Sequence, residues 1–266
     1  MLRDLELSDI PKLEAFAPKE WNMALDALFL KHFGRSYFHS RVWAEPDGIL
    51  AVGQGIVNGA TGWIGNIIVR PEARKRGLGS RMTQDVIALL RARGCSTLLL
   101  IATELGEPVY HKLGFRKTGE YVFLQLPRLL WTSTTSVRRL KQSEADAVFK
   151  LDAFASGEAR SALLAPDVDA GWAHVDPDGA LDGFFLPTFG AGLIIAIRPS
   201  AGLALQAFKH TFYPGAAVVP TGNDAALHFL VEHGAIETAR APRMAFGPEV
   251  SWKEEYIFAR GAGYCG

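Results

Sequence analysis

The chain has 266 residues, of which 48% are hydrophobic, and 28 basic side chains balance 28 acidic ones. That is enough for two ordinary domains or one large one, and zero net charge argues against a nucleic-acid partner. No apolar run reaches the roughly 18–20 residues of a membrane span, Met1-Leu2-Arg3-Asp4-Leu5-Glu6 does not read as a signal peptide, and Cys95 and Cys265 show neither metal-ligand spacing nor a disulfide framework. A cytoplasmic protein with no metal and no membrane contact is expected.

Leu2 to Glu6 reads as a strand, followed by an N-capping Ser8, an acid at Asp9 and a helix. Two early helices are expected over 9–33, with Trp21, Phe29, Phe33 and Tyr37 in or just after them. These aromatics suit either a core or the near wall of a pocket. Next, Thr61-Gly62-Trp63-Ile64-Gly65-Asn66 leads into the apolar run Ile67-Ile68-Val69, which ends at Arg70-Pro71. A basic, glycine-bearing turn follows, Arg74-Lys75-Arg76-Gly77-Leu78-Gly79-Ser80, and then a helix over Ser80 to Leu90.

A strand that feeds a helix through such a turn makes an anion site. The glycines admit a ligand close to the backbone, and the first N–H groups of the helix point at it. The turn is not a Walker loop and lacks the third glycine of the dinucleotide pattern. Ser96 to Ala102 reads as a buried strand. Thr103 to Pro108 makes a turn, and Val109 to Leu113 a short helix stopped by Gly114.

Arg74, Gly77 and Gly79 fill an Arg-x-x-Gly-x-Gly pattern, and Tyr110 to Phe115 reads Tyr-x-x-Leu-Gly-Phe. In this order, about thirty residues apart, the two motifs resemble the acetyl-CoA site of the GNAT N-acetyltransferase superfamily. The resemblance implies an α/β (α+β) fold, a mixed, largely antiparallel sheet with two splayed parallel strands and flanking helices. It implies main-chain contacts from Ile67, Ile68 and Val69 to the pantetheine. Arg74 and the run Lys75, Arg76, Gly77, Leu78, Gly79 and Ser80 would hold the pyrophosphate. Thr103 stands where family members often carry Asn, and Tyr110 would be the general acid that protonates the leaving thiolate. Tyr110 could also simply pack against the pantetheine.

The general base is not visible. The stretch Thr61 to Asn66 has no carboxylate, where the family often has a Glu. Glu20, Asp26 and Glu104 are weak alternatives, each also readable as a solvated acid. His32, His39 and His111 are no better placed, since His111 should point away from Tyr110 on a helix.

The second half echoes the first. Leu2 to Asp9 recurs at Val137 to Glu144, and Asn66 to Pro71 recurs at Ile194 to Pro199. Thr103 to Phe115 recurs at Asn223 to Ala235, with Gly114 matching Gly234 and Ala217-Val218-Val219-Pro220 as the matching strand. The offset between copies falls from 128 to 120 after Pro199, where the basic glycine turn is missing, and Leu230 stands in place of Tyr110. Two tandem GNAT folds are therefore expected. Residues 1–130 would carry the acetyl-CoA site, and 137–266 would be a degenerate copy without the pyrophosphate loop. A linker is expected between Leu126 and Val137.

Charge is split between the halves: residues 1–135 carry 17 basic and 13 acidic side chains, the remainder 11 and 15. The excess suits an anionic cosubstrate. Asp152 and Arg160 read as an internal ion pair or as part of a substrate site. The expected activity is direct acetyl transfer from acetyl-CoA to an amine, most simply a small molecule, in a ternary complex. A monomeric pseudo-dimer and a homodimer are both compatible. A non-catalytic acyl-CoA sensor or scaffold is the alternative, and protein acetylation a third reading.

Overall fold

The computed structural model describes residues 1–18, 23–130 and 136–265. Glu20 and Trp21, and residues 131–135 of the expected linker, lie outside the described residues. By contacts the chain divides into two units, Met1–Leu100 with Cys265, and Ile101–Tyr264.

The first unit is an open sheet in the order β1 (Leu2–Asp4), β2 (Phe38–Glu45), β3 (Gly48–Asn58), β4 (Thr61–Val69), β5 (Thr97–Ile101). The first four strands run antiparallel to their neighbours, and β4 and β5 run parallel. Helix α1 (Leu25–His32) precedes β2, and α2 (Leu78–Ala92) makes the crossover from β4 to β5. In α2, Leu78, Met82, Val86 and Leu90 recur every fourth residue and all are buried, the spacing of an apolar helix face. Each large side chain removed from water in this way contributes about 1.5–3 kcal/mol.

The second unit opens with α3 (Glu107–Lys112) and β6 (Arg116–Gln125). It continues through β7 (Val137–Arg139), α4 (Ala145–Ser156), α5 (Ser161–Leu164), β8 (Trp172–Val175), β9 (Leu181–Leu186) and β10 (Leu193–Ala196). Helix α6 (Pro199–Phe212), β11 (Ala217–Pro220), α7 (Asp224–Glu232), β12 (Ile236–Phe246) and β13 (Ile257–Ala259) complete it. Strand β6 lies between β12 and β11, antiparallel to both. A second antiparallel run has the order β13-β10-β9-β8-β7. Val122, Leu124, Phe185, Ile194, Leu205 and Phe258 share the core of this unit. Strand β6 follows α3 directly in sequence, yet both its partners come from the last fifty residues.

The expected cap at Ser8 is corrected. The residue at the cap is Glu6, and Ser8 lies inside a 3-10 turn, Leu7–Leu13. The Asp9 carboxylate accepts the Glu6 N–H at 3.0 Å and two bonds from Arg3 at 2.6 and 3.0 Å. An acid three residues past the cap reaches the free N–H more effectively than the serine does. The second half repeats this arrangement. Glu144 accepts the Lys141 N–H at 2.8 Å and two Arg138 bonds at 2.6 and 2.9 Å. The Arg3 and Arg138 guanidiniums push the Asp9 and Glu144 carboxyls down, each to about 2.

Candidate functional site

In the first unit, β4 and β5 pair only through Thr61–Trp63 and Thr97–Leu99. Beyond Trp63, β4 runs on to Val69, still paired with β3 on its other side. The β5-facing main chain of Gly65 to Val69 is therefore released from the sheet ladder, and such groups need partners. A β-bulge marks the departure. The register between β3 and β4 slips between Val52 and Gln54, and Asn66 takes a left-handed conformation at φ 50°. A bulge bends its strand, and Asn accepts the left-handed region better than most residues.

Past Val69 the chain makes a single 3-10 turn, Pro71–Ala73, in which Arg74 Nε donates to the Val69 carbonyl at 3.2 Å. Lys75 has φ 62° and Gly77 φ 76°. Gly77 caps α2 without any side-chain hydrogen bond, so the first N–H groups of the helix are left for a ligand. The helix begins two residues before the expected Ser80, which brings Leu78 and Gly79 into its first turn. A Cβ at Gly79 would meet only Val69 Cγ2, at an ordinary 3.7 Å, and one at Gly77 would meet nothing within 4 Å. At Gly77 the backbone conformation demands glycine; at Gly79 the missing side chain leaves open the space over the helix terminus. Positive φ values, uncapped N–H groups and basic side chains together make an anion cradle. Arg76 is held by Glu45 at 2.9 Å on the surface, so with Arg74 on the Val69 carbonyl two of the three basic residues already have an internal partner.

In the second unit, Thr103 and Tyr110 come together. The Thr103 carbonyl accepts the Gly106 and Glu107 N–H groups, both at 2.9 Å, and its hydroxyl lies 3.2 Å from Gly106 N. A Cβ at Gly106 would stand 2.9 Å from the Tyr110 ring, so glycine lets the ring lie against the turn. Phe115 meets Tyr110 edge-on, with centroids 5.9 Å apart. Burial raises the Tyr110 phenol to about 12, because the phenolate would lose its hydration. The hydroxyl therefore carries its proton at any working pH. His111 is exposed and pairs with Glu107 at 3.4 Å.

Other expected residues are accounted for by packing. Phe29 and Tyr37 belong to the core, and Phe33 is partly exposed. Asp152 and Arg160 form a buried pair at 2.5 Å. Among the described residues no group of three His, Cys, Asp or Glu is placed to hold a metal ion, and no helix is long and apolar enough to cross a membrane.

The sequence reading missed β13. It pairs with β10 (Ile194 with Ala259, Ile195 with Ile257), and Arg260 N donates to the Val218 carbonyl of β11 at 2.8 Å. A strand of the chain itself thus stands between β10 and β11. Gln206 of α6 donates its amide to the Phe258 carbonyl. Asn223 donates to the Glu255 and Ile257 carbonyls, each at 3.1 Å. A Cβ at Gly202 would overlap the Phe258 ring. Helix α6 starts at Pro199, only two residues, Ile197 and Arg198, after the end of β10. Gln54 and Asn66 were missed too. The alternation Gly53-Gln54-Gly55 was the available signal, since glycines on one strand face mark a close helix and put the residue between them on the other face.

Comparison with known proteins agrees with this local geometry. Residues 5–115 match the acetyltransferase (GNAT) family. A glucosamine 6-phosphate N-acetyltransferase of Trypanosoma brucei brucei is 39% identical over 67 residues, 25% of this chain. The match spans 46% of that protein, less than half its length. Two solved structures at low identity share the fold. One is a candidate acetyltransferase of Pyrococcus horikoshii (TM-score 0.86, 18% identity, 100% of this chain and 95% of the other). The other is a tandem GNAT protein from the clavulanic acid biosynthesis pathway (TM-score 0.61, 13% identity, 94% and 99%). Residues 5–115 are thus similar to the GNAT acetyltransferases, and the chain has the mixed, mostly antiparallel fold of GNAT-type proteins.

Proposed function

We propose that this enzyme moves the acetyl group of acetyl-CoA directly to an amine, in a ternary complex. The observation that carries the reading is local to the first unit: β4 leaves β5 after Trp63, just before an uncapped helix terminus behind Gly77. Acetyl-CoA would supply the activated thioester. The freed main chain of Ile67, Ile68 and Val69 would bind the pantetheine amides, and Arg74 and Lys75 to Ser80 the pyrophosphate. The family match runs unbroken from residue 5 to 115, which supports assigning Thr103 and Tyr110 to the same cosubstrate. The amine forms a C–N bond to the carbonyl carbon as the C–S bond breaks, and the amine's proton passes to water. Tyr110, protonated at the start of the step, donates its proton to the departing sulfur and regains one from solvent.

The two sequence halves are read as two copies of one fold, at 1–130 and 137–266, with coenzyme held only by the first. The acceptor is read as a small amine, and glucosamine 6-phosphate, named for the trypanosomal relative, is the first probe. The test is thiol release from acetyl-CoA with a panel of amines. Amine-dependent release supports transfer. Coenzyme binding without any release identifies a sensor, a reading that β4 favours by carrying no carboxylate.

A further inference from the structure

Two costs meet at the point where β4 leaves β5. Asn66 is held at φ 50°, outside the regions most side chains prefer. Its Nδ2 donates at 3.0 Å to Oε1 of Gln54. Gln54 is fully buried in β3, and its Nε2 has no hydrogen-bond partner among the described residues. Ser40 is the cross-strand partner of Gln54 on β2, and its buried hydroxyl likewise has no partner among the described residues. A buried amide nitrogen that makes no bond forfeits its hydration without return. An apolar residue of the same size would serve the core better, so the amide calls for another explanation.

Geometry supplies one. Helix α2 lies over the sheet face that bears Gly53 and Gly55, where added Cβ atoms would come within 2.7 Å of Met82 and 2.9 Å of Leu90. Gln54 and Ser40 point to the opposite face, and the Asn66 side chain turns to the same side to meet Gln54. That bond couples the orientations of the two amides, and in this structure the Asn66 nitrogen faces Gln54. The nitrogen is committed to Gln54, so the oxygen, Oδ1, is left to accept. Asn66 immediately precedes Ile67, Ile68 and Val69, the residues assigned to the pantetheine.

We propose that Asn66 is a positioning residue for the acceptor: its side-chain oxygen receives an N–H of the incoming amine, and Gln54 holds it in that orientation. The inference rests on the transfer reaction proposed above and adds the side chain that aims the nucleophile. It also states an acceptor class, a neutral amine that presents an N–H to an uncharged amide oxygen.

The test is steady-state thiol release by the full chain with glucosamine 6-phosphate, glucosamine and benzylamine as amines. Asn66→Gly tolerates the left-handed backbone and removes only the side chain. It should raise the KM for the amine about tenfold, as expected for one lost hydrogen bond, while the acetyl-CoA KM stays within about twofold. Gln54→Leu should act in the same direction and more weakly, with an unchanged or raised melting temperature, because it removes the orphaned amide. An unchanged amine KM in Asn66→Gly overturns the proposal, and so does an equal rise in the KM for acetyl-CoA. Wild-type protein that releases no thiol with any of the three amines defeats the transfer reading and this inference together.

Discussion

The β4–α2–β5 stretch and the β10–α6–β11 stretch are built alike: a strand, an Arg-Pro, a helix and a second strand. In the first, the strands part after Trp63 and Leu99, and eight residues, 70–77, separate the strand end from the helix. In the second, β13 fills the interval and the helix starts at Pro199, only two residues after β10. The first is left with unpaired main chain and an anion cradle, the second with neither. A slot between two strands is a set of unsatisfied N–H and C=O groups, which demand a partner. One stretch leaves that demand open, as the proposed coenzyme site requires, and the other meets it with its own backbone.

The sharpest test of this contrast is at Tyr110, whose counterpart in the second half is the fully buried Leu230. Tyr110→Phe should lower kcat by about 10²–10⁴-fold, the usual worth of a general acid, with coenzyme affinity measured by calorimetry nearly unchanged. Equal loss of both would reduce Tyr110 to a packing residue. Because burial holds the phenol at about 12, the rate profile should show no alkaline limb from Tyr110 below about pH 11. The sign for stability follows: the neutral phenol favours the fold below pH 10, and this contribution is lost as pH rises toward 12.

Phe258 of β13 probes the filled interval. Phe258→Ala should destabilise the protein by about 3–5 kcal/mol, read by urea unfolding. It should create no second coenzyme site, because the cradle is missing there. Calorimetry should find one acetyl-CoA per chain in both proteins, and a second site in either would break the comparison.

Smaller effects come from the loop and from the paired acids. Arg74→Ala with Arg76→Ala should raise the acetyl-CoA KM by about tenfold, as expected for two exposed charges, and leave the amine KM alone. No rise would remove the loop from the site. Asp9 and Glu144 occupy equivalent positions in the two halves, and both carboxyls are held down to about 2. Their contribution is fully present above the unfolded values near 4 and is lost as pH falls toward 2. Asp9→Asn and Glu144→Gln should each cost on the order of 1 kcal/mol at pH 7, discounted for partly exposed partners, and nothing at pH 2. A difference between the two would show that the repeat is not energetically symmetric.

The sequence by itself determined what depends on neighbours along the chain. Gly77 marks the turn before α2, Pro108 and Gly114 bracket α3, and the four-residue spacing from Leu78 to Leu90 sets the buried face of a helix. The missing loop after Pro199 was legible for the same reason. Each feature is a local backbone preference or a period, and a few residues encode it. Only the tertiary structure decided that β6 lies between β12 and β11, that β13 enters between β10 and β11, and that Asn66 meets Gln54. Strand pairing joins residues far apart in sequence through main-chain groups that every residue carries, so side-chain patterns cannot specify which strand pairs with which. The orphaned amide of Gln54 is likewise a property of what surrounds it, and a lone glutamine between two glycines does not reveal that.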